Sequence, residues 1–151
     1  MRKFIVLMLV FAAGLAVPVA RADPPTRIPL TSADFVDTTC GFPVAVHIVR
    51  DGETLKVFSN GKAIITGPLS VQLSANGKTV SLNVSGPATI TNNPDGSVTI
   101  IGHGVGFGPT QTTNGVTLAY NAGVVSIDPV TDIATIEHGT MLLDLCTALA
   151  P

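Results

Sequence analysis

The sequence predicts an all-β fold: an antiparallel meander closing into a small β-barrel, with a β-sandwich as the alternative, preceded by a signal-peptide helix. Three observations predict it. Val, Ile and Thr supply 42 of the 129 residues after position 22, and β-branched side chains favour pleated strands over helix. Turn signals recur along the chain, at Asp51-Gly52, Asn60-Gly61, Asn76-Gly77, Asn93-Pro94-Asp95-Gly96, Asn114-Gly115, Asn121-Ala122-Gly123 and Asp128-Pro129. Such residues supply the positive φ or fixed φ of tight reversals. Between them the apolar period is two. Leu69, Val71 and Leu73 alternate with Ser70, Gln72 and Ser74, and Val80, Leu82 and Val84 alternate with Thr79, Ser81 and Asn83. That alternation marks a sheet with one buried and one wet face.

At the amino end, Arg2 and Lys3 precede an apolar run from Phe4 to Ala20, and Ala20-Arg21-Ala22 places small residues where a signal peptidase reads. Residues 1–22 are therefore read as a signal peptide cleaved after Ala22, giving a secreted, extracellular protein. Pro18 argues against an uncleaved anchor helix. Beyond the leader no apolar run approaches the ~20 residues of a membrane span, so no stable span is expected after cleavage. The remainder holds five basic and ten acidic residues, with no Lys or Arg after Lys78. Lys and Arg dominate phosphate recognition, so nucleic acid is excluded as a partner.

Residues 23–39, with Pro24, Pro25 and Pro29, read as an extended N-terminal arm, and residues 40–151 as a single β domain. Strands are expected near 43–50, 54–59, 62–66, 69–74, 78–85, 87–92, 97–107, 115–121, 124–128 and 132–145, with a helical turn at Cys146-Thr147-Ala148-Leu149. Hairpin-length connections favour pairing between chain neighbours, and a long meander hides its edges most simply by closing. Cys40 and Cys146 are the only cysteines. In an exported chain such a pair becomes a disulfide, here joining the two ends of the domain. A nucleophilic role would need an activating base or a helix N-terminus, and Thr38-Thr39-Cys40-Gly41-Phe42-Pro43 offers neither.

Gly102, Gly104, Gly106 and Gly108 occupy every second position around His103, Val105 and Phe107. A phosphate-cradling loop needs Gly-x-Gly-x-x-Gly opening a helix. Here Phe107 and Pro109 stand instead, and no helical pattern follows. Four glycines on one face of a strand point to a sharp bend or a close backbone crossing. Strand parity turns His47 and His103 outward, and no pair among His47, His103 and His138 has ligand spacing, so no metal site is expected. No cofactor is implied either.

Asp128, Asp132, Glu137 and Asp144 are the carboxylates that glycoside chemistry would draw on, but the first two flank Pro129 as turn residues. Tyr120 lies in register with Val116 and Leu118. It reads as a core residue whose hydroxyl reaches a backbone group, or as a group orienting a ligand inside a barrel. Tyr120, Glu137 and His138 are the ligand-lining candidates. Asn83-Val84-Ser85 is an acceptor pattern for N-glycans where the source glycosylates exported proteins.

Cys40-Gly41-Phe42-Pro43-Val44 at the start, Leu82-Asn83-Val84-Ser85-Gly86-Pro87 in the middle and Asp144-Leu145-Cys146 at the end resemble small secreted β-rich proteins of actinobacteria, a group without assigned activity. The resemblance covers most of residues 38–149 and implies export, a mostly β domain and a paired cysteine; it carries over no catalytic residue. In strand count alone the chain is similar to calycin-like and allene-oxide-cyclase-like barrels, which is fold analogy only. The function expected is a secreted, noncatalytic β domain that binds a small apolar ligand or a protein partner. The alternatives are a barrel enzyme of cyclase or isomerase type, acting by positioning, and a structural cell-surface protein.

Overall fold

The computed structural model describes residues 23–151, and the expected signal peptide lies outside the described residues. The described residues form eleven strands and one short helix. The strands are β1 (Thr26–Pro29), β2 (Phe35–Asp37), β3 (Val44–Asp51), β4 (Thr54–Val57), β5 (Lys62–Thr66), β6 (Leu69–Ala75), β7 (Lys78–Asn83) and β8 (Ala88–Asn92). Three longer strands follow, β9 (Val98–Thr112), β10 (Gly115–Ile127) and β11 (Ala134–Asp144), and then the helix α1 (Leu145–Leu149).

The strands divide between two antiparallel sheets, one ordered β1-β4-β5-β8-β9-β10-β11 and the other β2-β3-β6-β7. This differs from a simple meander. The chain crosses between the sheets after β1, β3, β5 and β7, and only from β8 onward does each strand pair with its successor. Asp51-Gly52 shows why. Instead of closing a hairpin it leads from one sheet to the other, with the Gly52 N–H bonded to the Pro68 carbonyl at 2.9 Å. The stretch read as an arm supplies β1 and β2, which sit at the edges of the two sheets and remain largely exposed.

The four-stranded sheet buries one face, as its alternation requires. Val44, Val46, Val71, Leu73, Leu82 and Val84 are buried, while His47, Gln72, Ser74, Ser81 and Asn83 are exposed. Register brings like residues together: Val46 faces Leu73, which faces Val80, and Val71 faces Leu82. Asn76-Gly77, both with positive φ, make the tight turn that sets this register. Across from this face lie Phe107 of β9, Leu118 and Tyr120 of β10, and Leu145 and Leu149 of α1. At about 25 cal/mol per Å2 of apolar surface, each fully buried Leu or Val contributes roughly 1.5–3 kcal/mol.

Asp144 starts the helix as its N-cap, accepting the Thr147 N–H at 3.1 Å. The Asn76 side chain donates to the Leu149 carbonyl at 2.8 Å and fastens the other end to the β6–β7 turn. Cys146 on this helix is bonded to Cys40, with their Cα atoms 5.0 Å apart. The bridge closes a loop of 106 residues around the core. Among the described residues no helix is long and apolar enough to cross a membrane.

Candidate functional site

The long ribbon β9–β10–β11 curls on itself. β10 pairs on one side with β9 and on the other with β11, yet Ala134 at the start of β11 also meets Thr110 near the end of β9 in a parallel contact. A flat sheet keeps the first and third strands about two strand spacings apart, so the ribbon must roll strongly. The rolling has a visible cause. Gly104, Gly123 and Gly139 stand in register as one row across the three strands, each with positive φ. A Cβ on Gly123 would come within 2.0 Å of the His138 carbonyl oxygen, and one on Gly139 within 2.0 Å of that of Ala122. Register shifts at Tyr120/Asn121 and Val124/Val125 flank the row. Such bulges strengthen local twist. The Asn121-Ala122-Gly123 signal, expected to reverse the chain, instead creases a continuous strand.

Inside the curl is a cavity of about 340 Å3. Directly paired residues in a sheet project from the same face. Gly102, Gly106 and Gly108 therefore share a face with their β10 partners Val125, Asn121 and Ala119. A Cβ built on Gly106 or Gly108 meets nothing within 4 Å. The cavity exists because side chains are missing along β9. Val84, Phe107, Val125, Ile127 and Ala134 supply apolar wall, and the exposed His103 and Asp132 stand at its border.

One polar group is built into this wall. Asn121 is 4% exposed and Thr110 fully buried. Asn121 Nδ2 donates to Thr110 Oγ1 at 2.8 Å, and the Thr110 hydroxyl donates to the Gly108 carbonyl at 3.0 Å. Because that hydroxyl has one proton, already given to Gly108, its oxygen must accept from Asn121, which fixes the orientation of the carboxamide. Asn121 Oδ1 is then left over. It is the one buried side-chain polar atom without a hydrogen-bond partner among the described residues. A buried carbonyl in that state costs about 1–3 kcal/mol.

The three ligand-lining candidates from the sequence are not brought together here. None of them lines this cavity. Tyr120 pairs with Phe107, packs against the core, and donates its hydroxyl to the Asn83 main-chain carbonyl at 2.9 Å. Glu137 and His138 are exposed, and Glu137 Oε1 accepts from the Ser126 hydroxyl at 2.6 Å. Of the other histidines, exposed His47 pairs through Nδ1 with Asp34 at 2.6 Å, whereas His103 borders the cavity. The Asn83 side chain accepts from the Ser85 N–H at 3.1 Å and so closes a local turn.

Asn121 and Thr110 are the residues that sequence reasoning passed over. The available signal was parity: an Asn placed between Ala119 and Gly123 on a strand faces small neighbours. What this wall offers is mainly dispersion surface, which suits binding. No protein-family model, curated protein or solved structure matches the chain.

Proposed function

We propose that this is an exported, noncatalytic binding domain that holds a small apolar ligand in the cavity beneath the glycine face of β9. The observation that carries the reading is the open space at Gly106 and Gly108, bordered by a mainly apolar wall. Small-molecule sites are concave, mostly apolar and furnished with few polar groups, with volumes of roughly 300–1,000 Å3. At about 340 Å3 this cavity suits a ligand at the small end of that range. Export is supported by the leader pattern and by the Cys40–Cys146 bridge, since such bonds persist in oxidising compartments.

Amide-resolved NMR titration with toluene and cyclohexanol tests the reading. Shifts are expected to concentrate at Gly106, Gly108 and Asn121. They should vanish in Gly106→Val, whose side chain enters the cavity from a backbone that tolerates it. Probes that move no resonance in the curl, or move them equally in the filled variant, would overturn the proposal.

A further inference from the structure

We infer that the ligand carries a cationic head, an alkylammonium in its simplest form, held by Asp132 at the mouth of the cavity while its apolar body fills the space at Gly106 and Gly108. This rests on the cavity reading and specifies the ligand's chemistry. Lys78 is the last Lys or Arg of the chain, and five acidic side chains follow it, Asp95, Asp128, Asp132, Glu137 and Asp144. Four of them are engaged by their own surroundings. Asp95 accepts the Ser97 N–H at 2.9 Å, Asp128 the Val130 N–H at 2.8 Å, and Glu137 the Ser126 hydroxyl at 2.6 Å, while Asp144 caps α1. Asp132 is the fifth. Its main-chain N–H is bonded to the Asp128 carbonyl at 2.8 Å, but its carboxylate has no hydrogen-bond or ion-pair partner among the described residues. This exposed acid is the one that borders the cavity. Among the described residues no Lys or Arg lines the cavity, and the exposed His103 is the other ionisable side chain there.

An apolar hollow with one unengaged carboxylate at its edge selects ligands by the sign of their charge. A fatty carboxylate brings a like charge to Asp132, with no Lys or Arg of the wall to offset the repulsion. An ammonium head is attracted instead. Burying that head would be costly, so it stays at the mouth and the alkyl chain runs inward. Lysine side chains divide themselves in the same way, with the stem on apolar surface and the charge in water. Because Asp132 is exposed, the head keeps much of its hydration. Exposed ion pairs are weak, and the preference expected is correspondingly moderate.

The test uses three probes built on one heptyl chain, heptylammonium, octanoate and 1-heptanol, in NMR titrations of the full chain after the leader at neutral pH and low salt. Heptylammonium is expected to bind about tenfold more tightly than octanoate. Asp132→Asn should cut that ratio about fivefold, and asparagine tolerates the positive φ of 57° found there. Glu137→Gln removes one charge from a residue outside the cavity wall and should leave the ratio within about twofold. Wild-type protein gives a readout that needs no variant to fold: the Asp132 13Cγ resonance should move with heptylammonium and stay in place with 1-heptanol. Equal affinities of the two ions, an equal loss of the ratio in both variants, or a 13Cγ signal unmoved by bound heptylammonium would overturn the inference. Shifts at Gly106 and Gly108 with 1-heptanol would then leave the cavity reading standing. If none of the three probes perturbs those glycines, both fall together.

Discussion

The two faces of the β9–β10 ribbon are made from the same backbone and differ in what they carry. One face presents Leu118 and Tyr120, which pack with the four-stranded sheet and α1, while Phe107 meets both this core and the cavity. The other presents Gly102, Gly106, Gly108 and Asn121 and borders a cavity. Strand conformation alone does not make a core. Side-chain volume does, and where alternate positions lack it the sheet must collapse, bend or remain hollow. Here the Gly104–Gly123–Gly139 row lets it bend, and the bend shelters the hollow.

The harshest way to break this contrast is Gly139→Ala. The new methyl meets the Ala122 carbonyl oxygen at 2.0 Å from a φ of 137°, so a loss of about 3–5 kcal/mol is expected in denaturant unfolding. A change below 1 kcal/mol would show that the crease relaxes freely. Removing the bridge with Cys40→Ala and Cys146→Ala comes next, at about 2–5 kcal/mol, because the cross-link restricts the unfolded chain over 106 residues. On the filled face, Leu118→Ala should cost about 2–5 kcal/mol by leaving a void where exposure is now 0%. Thermal melts retaining the wild-type midpoint would contradict that packing.

A smaller effect belongs to the helix beside the filled face. Burial pushes the Asp144 carboxyl upward, but hydrogen bonds from the Thr147 N–H and the Thr117 hydroxyl outweigh it and hold the pKa below the ordinary 3.8. A folded pKa below the unfolded one means the contribution is full above the unfolded value and is lost as pH falls through the folded value. Asp144→Ala should therefore cost about 1 kcal/mol near neutrality, with the difference from wild type shrinking in strong acid. A difference that grows on acidification has the wrong sign. The smallest effect is expected on the hollow face: Gly108→Ala adds a methyl where nothing lies within 4 Å and should shift stability by under about 0.5 kcal/mol. Its apolar ligands should nevertheless bind more weakly, so that one ribbon shows large stability effects on one face and binding effects on the other.

Much of this was legible from local chemistry. Alternation identified the buried face of β6 and β7, and Asn76-Gly77 and Asn114-Gly115 marked real hairpins. The glycine series at 102–108 was read as a bend or a close crossing; Gly104 belongs to the crease, whereas Gly106 and Gly108 face open space and the close approach is made at Gly86. β9 lies within the creased ribbon, and its Val105 carbonyl accepts the Gly86 N–H at 2.9 Å. Asn121 was misread with Ala122 and Gly123 as a reversal, because positive φ is the same local event whether it turns a chain or creases a sheet. Tyr120 was legible as a core residue, but its absence from the cavity wall was not.

By itself the sequence determined that the body is built of strands, which side chains of β6 and β7 alternate toward a dry face, and which two sulfurs are there to join, since these follow from φ/ψ preference, a period of two and composition. Only the tertiary structure decided the division into two sheets, the meeting of Ala134 with Thr110, and the enclosure of an unpaired Asn121 carbonyl. Strand partners and cavities arise from packing among residues far apart in the chain, and a period-two pattern is the same whichever neighbour a strand finally meets.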